Sequence, residues 1–114
     1  MAKREDPICE HLVDLLSPLG EVTYRRMFGG FGLYVDGRIV AIVDDGVLYL
    51  KADEVNRPRF EALGMAPFRP FPDKDTTMPY HEVPADLLDD QERLLELAGT
   101  AVAVAGRSAE RRQA

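Results

Sequence analysis

The sequence predicts an α+β fold in which N- and C-terminal helices pack in a second layer on an antiparallel sheet. Three observations lead to this prediction. Apolar residues recur with helical spacing near both ends of the chain, β-branched and aromatic runs fill the middle, and Asp-Gly pairs separate two of those runs. Because Asp-Gly pairs suit tight hairpin turns, we expect an antiparallel meander within a sheet of four to five strands.

The first helix is predicted over residues 7–17. Asp6 offers a side-chain acceptor at the N-cap, and Pro7 stands where a missing N–H costs nothing. Residues 17–20 end the helix with Pro and Gly. One apolar face should pack on the sheet, formed by Ile8, Leu12, Leu15, Leu16 and Leu19.

The middle of the chain has the composition of strands. Glycine-containing turns separate four predicted strands, which span residues 22–26, 31–36, 38–44 and 47–52. A short helix should follow, with Asp53 as its N-cap and Gly64 after its end, and Pro58 delays its start to about residue 57.

The last third of the chain combines prolines with a long helical pattern. Three prolines confine residues 67–72 to a sheet edge or a loop, and residues 78–83 read as a short extended segment. Pro84 should open the longest helix, which carries an apolar stripe and acidic first turns. The single domain is predicted over residues 7–106, with residues 107–114 as a flexible tail.

Composition excludes several classes of protein. With 114 residues and 46% hydrophobic residues, the chain suffices for one domain with its own core. The 14 Lys and Arg residues against 20 Asp and Glu give a net charge of −6, which disfavours bulk nucleic-acid binding. Cys9 is the single cysteine, and neither an apolar leader nor a membrane-length segment is visible, so we expect a cytoplasmic protein without membrane partners.

No catalytic, cofactor or metal site is predicted, and we expect a protein that is not an enzyme. Cys9 and His11 diverge on the first helix, and His81 is distant from both in sequence. Asp44-Asp45-Gly46 lacks the further ligands of a calcium loop, and neither serine lies in a Gly-x-Ser-x-Gly elbow.

Residues 25–32 are the most unusual segment. A phosphate-binding loop is disfavoured because a strand, not a helix, follows the glycines. Two interpretations stay open: a recognition surface of arginines and aromatics, or a tight connection whose glycines allow close backbone approach. Strand alternation places Arg25 and Arg26 on opposite faces. The candidate partner-binding residues are Arg25, Arg26, Met27, Phe28, Gly29, Gly30, Phe31, Tyr34, Lys51 and Tyr80.

Several blocks of the sequence, in their order and spacing, resemble the N-terminal domain of the TfoX/Sxy family over about residues 8–106. These blocks are residues 25–34, 36–38, 48–53, 67–68 and 78–84. The resemblance implies a fold similar to the type III secretion chaperone-like group. It also implies regulation of bacterial competence together with a transcription factor, the cyclic-AMP receptor protein. Complete regulators carry a further helical domain, which these 114 residues are not expected to contain.

Three functions follow from these observations. The favoured one is a regulatory domain that binds a protein partner, such as a transcription factor, through the Arg25 and Arg26 strand and the glycine loop. The second is low-affinity nucleic-acid binding, if the basic residues converge on the sheet: Arg25, Arg26, Arg38, Lys51, Arg57, Arg59 and Arg69. The third is a small-ligand-binding protein with a pocket near Tyr49, Lys51 and Tyr80. A homodimer through an edge strand also stays open.

Overall fold

A computed structural model describes residues 6–27, 29–71 and 73–113. These residues form three α-helices and six strands in the order one helix, four strands, one helix, two strands and one helix, with 3-10 segments at Ser17–Leu19 and Ala85–Asp89. The helices are α1 (Pro7–Leu16), α2 (Arg57–Ala62) and α3 (Gln91–Gln113). The strands are β1 (Val22–Met27), β2 (Gly30–Val35), β3 (Arg38–Asp44), β4 (Val47–Lys51), β5 (Pro67–Phe68) and β6 (Met78–Glu82).

The strands form one antiparallel sheet in the order β1-β2-β3-β4-β6-β5. This confirms the α+β prediction, with six strands where four to five were expected. The additional strand is β5, a two-residue edge strand that pairs with β6 in the proline-rich segment. The register shifts between β2 and β3 at Leu33/Tyr34, and between β5 and β6 at Pro67/Phe68.

Both Asp-Gly pairs form the predicted two-residue hairpin turns. Asp36 and Gly37 have φ angles of 51° and 86°, and Asp45 and Gly46 have φ angles of 52° and 77°. Positive φ at both central residues is the signature of the turn whose twist matches that of the flanking strands. The meander β2-β3-β4 therefore follows directly from these two dipeptides.

Helix α1 begins as its sequence predicts. The Asp6 carboxylate accepts hydrogen bonds from the N–H groups of Ile8 and Cys9, at 2.9 and 3.0 Å. Leu12 and Leu16 are buried against the sheet and α3 as part of one continuous core. The α-helix ends at Leu16, one residue before the predicted end, where the chain tightens into a 3-10 turn.

The sequence predicted Asp53 as the N-cap of α2, and this prediction is wrong. Asn56 precedes the helix and is buried, with its side-chain oxygen accepting from the Asp53 N–H at 2.8 Å. Its amide nitrogen donates to the Lys51 carbonyl and to the Thr100 hydroxyl, both at 3.1 Å. Asn56 thus ties the end of β4 to α3 with every side-chain polar atom satisfied.

The sequence predicted that Pro84 opens the long helix, and this prediction is wrong. A 3-10 turn over Ala85–Asp89 comes first, and Asp90 then adopts a non-helical conformation with φ −127° and ψ 84°. Its carboxylate accepts from the Arg93 N–H at 3.2 Å, so Asp90 caps a new helix that starts at Gln91. Aspartate competes in this way with continuation of a helix, because its side chain can bond to nearby backbone.

Helix α3 continues to Gln113, through the segment that the sequence predicted as a flexible tail from residue 107. Two ion pairs hold this last part on the body of the domain. Arg107 donates from Nε and Nη2 to the two carboxylate oxygens of Asp53, at 2.8 and 2.9 Å. Arg111 donates to Glu54 at 2.7 Å. Neither partner is near in sequence, so apolar periodicity could not predict this helical end.

The Asp53–Arg107 pair should make stability depend on pH. Hydrogen bonds from Arg107 lower the pKa of Asp53 from 3.8 to about 2. A depressed carboxyl pKa means that the stabilisation is present above about pH 4 and is lost as the pH falls toward 2. Asp53→Asn should therefore lower the free energy of unfolding at pH 7 by about 1 kcal/mol. The difference from the unsubstituted chain should shrink below pH 4 in urea unfolding across a pH series.

Glu54→Gln is the matched control for this prediction. The Glu54 side chain is 61% exposed, against 11% for Asp53, so solvent screens its pair with Arg111 more strongly. We expect a smaller change in stability at every pH. Equal losses in the two variants would contradict a special contribution from the partly buried Asp53.

Candidate functional site

The sheet has one face that the helices α1 and α3 cover and one that they leave open. Strand register assigns residues to the two faces, because directly opposite residues on neighbouring strands share a face. Arg25 lies opposite Gly32, and Arg26 lies opposite Phe31. The two arginines therefore project to opposite faces, as alternation predicted.

On the helix-covered side, Arg26 joins a cluster beside α1. Its guanidinium carbon lies 5.2 Å from the Phe31 ring centroid, and Tyr24 meets the same ring edge to face at 5.7 Å. The Tyr24 hydroxyl donates to Glu10 at 2.7 Å, which raises the pKa of Tyr24. The cluster lines an open concavity of about 510 Å³ between α1 and β1. The sequence did not identify Tyr24 or Glu10, since only the packing of α1 against β1 brings them together.

On the open face, Arg25 and Lys51 each lie over a tyrosine ring. The Arg25 guanidinium carbon is 5.1 Å from the Tyr34 centroid, and Lys51 Nζ is 5.7 Å from the Tyr80 centroid. Tyr80 is buried, and this burial raises its pKa. The structure thus brings together four of the predicted residues as two cation–π pairs on one face.

The glycines of the Met-Phe-Gly-Gly segment have structural roles. Met27 pairs with Gly30 across the β1-β2 turn, and Gly29 has a φ of 84°. A Cβ atom added at Gly30 would overlap the Val43 carbonyl oxygen, so β3 approaches closely only because Gly30 has no side chain. Phe28 lies outside the described residues.

An apolar groove of about 460 Å³ crosses the open face beside this turn. Met27 and Gly30, both predicted site residues, form one wall. Phe71 and Met78 are 57% and 36% exposed, which is unusual for large apolar side chains. Sequence reasoning missed most of the lining, which also includes Ile42, Phe68, Pro70 and one carboxylate, that of Asp44. The aromatic residues of the proline-rich segment were the available signal.

The seven basic residues considered for nucleic-acid binding do not form one patch. Arg59 pairs with Glu96 at 3.2 Å, and Arg69 pairs with Asp75 at 3.6 Å. Arg57 lies on α2, and Arg26 lies on the helix-covered side. The arrangement therefore separates charges that the sequence left free to converge.

Other reactive groups have structural surroundings. His81 is buried, and its Nδ1 lies 2.8 Å from the Met65 carbonyl oxygen. Burial raises the pKa of the Cys9 thiol to about 12, which keeps it protonated at neutral pH. Among residues 6–27, 29–71 and 73–113, no group of three His, Cys, Asp or Glu side chains could hold a metal ion. Within the same ranges, no helix has the length and apolarity needed to cross a membrane.

Comparison with known proteins gives one family and two curated relatives. The model of the TfoX N-terminal domain matches residues 14–105, which include all six strands. Protein Sxy of Escherichia coli is 46% identical over 41 residues, which are 36% of this chain and 20% of that relative. DNA transformation protein TfoX1 of Aliivibrio fischeri is 35% identical over 60 residues, which are 53% of this chain and 29% of that relative. The matches thus span less than a third of either relative.

Substitution by alanine should lower the free energy of unfolding by different amounts at Gly29 and Gly30. Gly30→Ala should lower the free energy of unfolding by about 3 kcal/mol, because the added atom meets backbone that no rotamer change can move. Gly29→Ala should lower it by about 1 kcal/mol, because only the positive φ is strained and the surrounding space is open. Chemical denaturation measures both.

Gly99→Ala is the control, since it lies inside α3 with no atom near the added Cβ. Alanine is the better helix former, so this variant should gain up to about 1 kcal/mol. A Gly30→Ala variant as stable as Gly99→Ala would show that β3 can move away from Gly30 at no cost.

Proposed function

The chain belongs to the TfoX N-terminal domain family, and from this membership we propose that it is a non-enzymatic regulatory domain of the DNA-transformation type. It acts by binding a protein partner, whose extended segment adds to the sheet along β1. The observation that carries this proposal is the position of β1 at an open edge of the sheet with two exposed arginines.

The edge position makes β1 a backbone template. Within the described sheet β1 pairs with β2 alone, so its outer N–H and C=O groups have no strand beside them. None of its six residues is Pro or Gly, either of which would weaken the strand or block its edge. Addition of a strand is a common way for such edges to bind peptides.

Charge selects the partner segment. Arg25 and Arg26 are exposed, and no carboxylate in the described ranges lies within 4.0 Å of either guanidinium group. Their aromatic neighbours Tyr34 and Phe31 hold them in place without neutralising them. An acidic partner segment beside β1 would provide carboxylates for both arginines, one on each face of the sheet. If a second copy of β1 paired with this edge instead, the arginines of the two strands would lie beside each other and repel.

The apolar groove extends this surface beyond the end of β1. Met27 is both the last residue of β1 and a wall of the groove. A segment that follows β1 could therefore place an apolar side chain between Met27 and Phe71, where burial would add affinity. The partner's chemistry is thus an extended acidic stretch with an adjacent apolar anchor.

Charge reversal at the edge should abolish partner binding. The full chain is immobilised, bound proteins from its own cell are identified, and affinity is measured with the purified partner. Arg25→Glu/Arg26→Glu should raise the Kd for the partner more than about tenfold, because both contacts with the acidic segment become repulsive. Hydrogen exchange should also show β1 amides newly protected when the unsubstituted chain binds that partner.

Arg57→Glu/Arg93→Glu is the matched control. It makes the same change in net charge at two exposed arginines on α2 and α3, away from β1. Its Kd should stay within about twofold of the unsubstituted chain. Equal loss in both variants would indicate a nonspecific charge effect, and unchanged protection of β1 would rule out strand addition.

A further inference from the structure

A second group of basic residues, other than Arg25 and Arg26, lies beside the C-terminal part of α3. A cavity of about 220 Å³ is formed there by three separate elements. Arg38 comes from the start of β3, Lys51 from the end of β4, and Arg112 from the last turn of α3. The hydroxyl-bearing residues Tyr34 and Ser108 complete the polar lining.

The site has cations and no counter-charge. No Asp or Glu lines the cavity, and within the described ranges no carboxylate lies within 4.0 Å of a nitrogen of Arg38, Lys51 or Arg112. Asp53 and Glu54, which follow Lys51 closely in sequence, are already bound by other arginines of α3, and the Asp36 carboxylate accepts from the Glu21 N–H. In a chain with net charge −6, three unpaired cations at one cavity are a marked local reversal.

Helix geometry explains why α3 can form both the ion pairs and the cavity. Arg107 and Arg111 are four residues apart and share the face that binds Asp53 and Glu54. Ser108 and Arg112 are likewise four apart, and they share the neighbouring face, which lines the cavity. Compensation of the helix dipole explains basic residues in the last turn, but it does not explain Arg38 and Lys51 on two strands.

The three cations line one cavity, where Lys51 is half-buried and Arg38 and Arg112 are exposed. Burial, and then the charge of Arg112, lower the pKa of Lys51. The Lys51 ammonium lies over the buried Tyr80 ring. The Arg38 guanidinium lies along α3 at Gly106, where an added Cβ would be 3.7 Å from Nη1. Repulsion among these groups would be relieved by an anion between them.

We propose that this cavity binds the phosphoryl group of a small phosphate monoester. Three cations match a dianion better than a single carboxylate, and guanidinium groups recognise phosphate oxygens with paired hydrogen bonds. Hydroxyl donors fit the remaining oxygens. The volume of about 220 Å³ suits a phosphoryl head group, and it is smaller than sites that enclose a whole drug-sized ligand. This site adjoins the β1 edge through Tyr34, which also packs against Arg25, but its cations are other residues and it does not depend on the partner proposed above.

The test is an NMR titration of the full chain at constant ionic strength. Inorganic phosphate represents the free ion, and glycerol 3-phosphate represents a monoester, with acetate as the monoanionic control. We expect saturable shifts at Arg38, Lys51 and Ser108 with millimolar or tighter Kd for glycerol 3-phosphate, and weaker binding of acetate. Tighter binding of inorganic phosphate than of the ester would overturn the monoester assignment. Linear, unsaturable shifts would overturn the site.

Matched variants distinguish a built site from general charge. Lys51→Met keeps the aliphatic stem over Tyr80, and Arg112→Gln lies on the exposed end of α3, so both should fold. Each should weaken glycerol 3-phosphate binding about tenfold, the effect of one lost charge-assisted hydrogen bond. Arg93→Gln removes the same charge at the opposite end of α3, where the side chain is exposed, and should change Kd less than about twofold.

Two results would contradict the proposal even if phosphate binds. Equal weakening by Arg93→Gln and Arg112→Gln would indicate a diffuse charge effect. Duplex DNA that binds more tightly than glycerol 3-phosphate, with the same variant sensitivity and a steep salt dependence, would assign the cavity to a nucleic-acid backbone instead.

Discussion

The burial of one face of the sheet under α1 and α3 is the constraint on which the rest of this domain depends. Leu33 and Leu50 of the central strands are fully buried there. Small residues on α3 let it approach the sheet closely: Ala98, Ala101 and Ala105 are all buried. Because strand side chains alternate, committing Leu33 and Leu50 to this core sends their neighbours to the open face. Tyr34 and Lys51 are surface residues for that reason.

The contacts of Asp53 and Asn56 decide where α3 lies along the sheet. Asn56 bonds to Thr100 in the middle of the helix, and Asp53 bonds to Arg107 one and a half to two turns later. Together they hold the C-terminal half of α3 beside the end of β4. The same contacts that stabilise the helix therefore also carry Arg112 to the cavity that Lys51 lines. Stability and a potential binding site share one set of interactions here.

The net charge of −6 comes mainly from acidic residues in turns, loops and the 3-10 turn before α3, whereas the strands carry a small positive excess. Acidic side chains crowd the solvent face around the start of α3: Asp86, Asp89, Asp90, Glu92 and Glu96. Arg25 and Arg26 lie on β1, and the cations of the cavity lie on β3, on β4 and at the opposite end of α3. Recognition by this domain is therefore a matter of local charge, because salt screens exposed charges beyond about 10 Å.

Much of the architecture could be predicted from the sequence, because its causes are local. A cap at Asp6, positive φ in two Asp-Gly turns and the period of two in the strands each depend on a few adjacent residues, so α1, the meander and the opposite orientation of Arg25 and Arg26 followed. Sheet order, the true ends of α3 and the meeting of Arg38, Lys51 and Arg112 depend on contacts between distant segments. Only the tertiary structure decided these, because local backbone preferences do not specify which remote side chains meet.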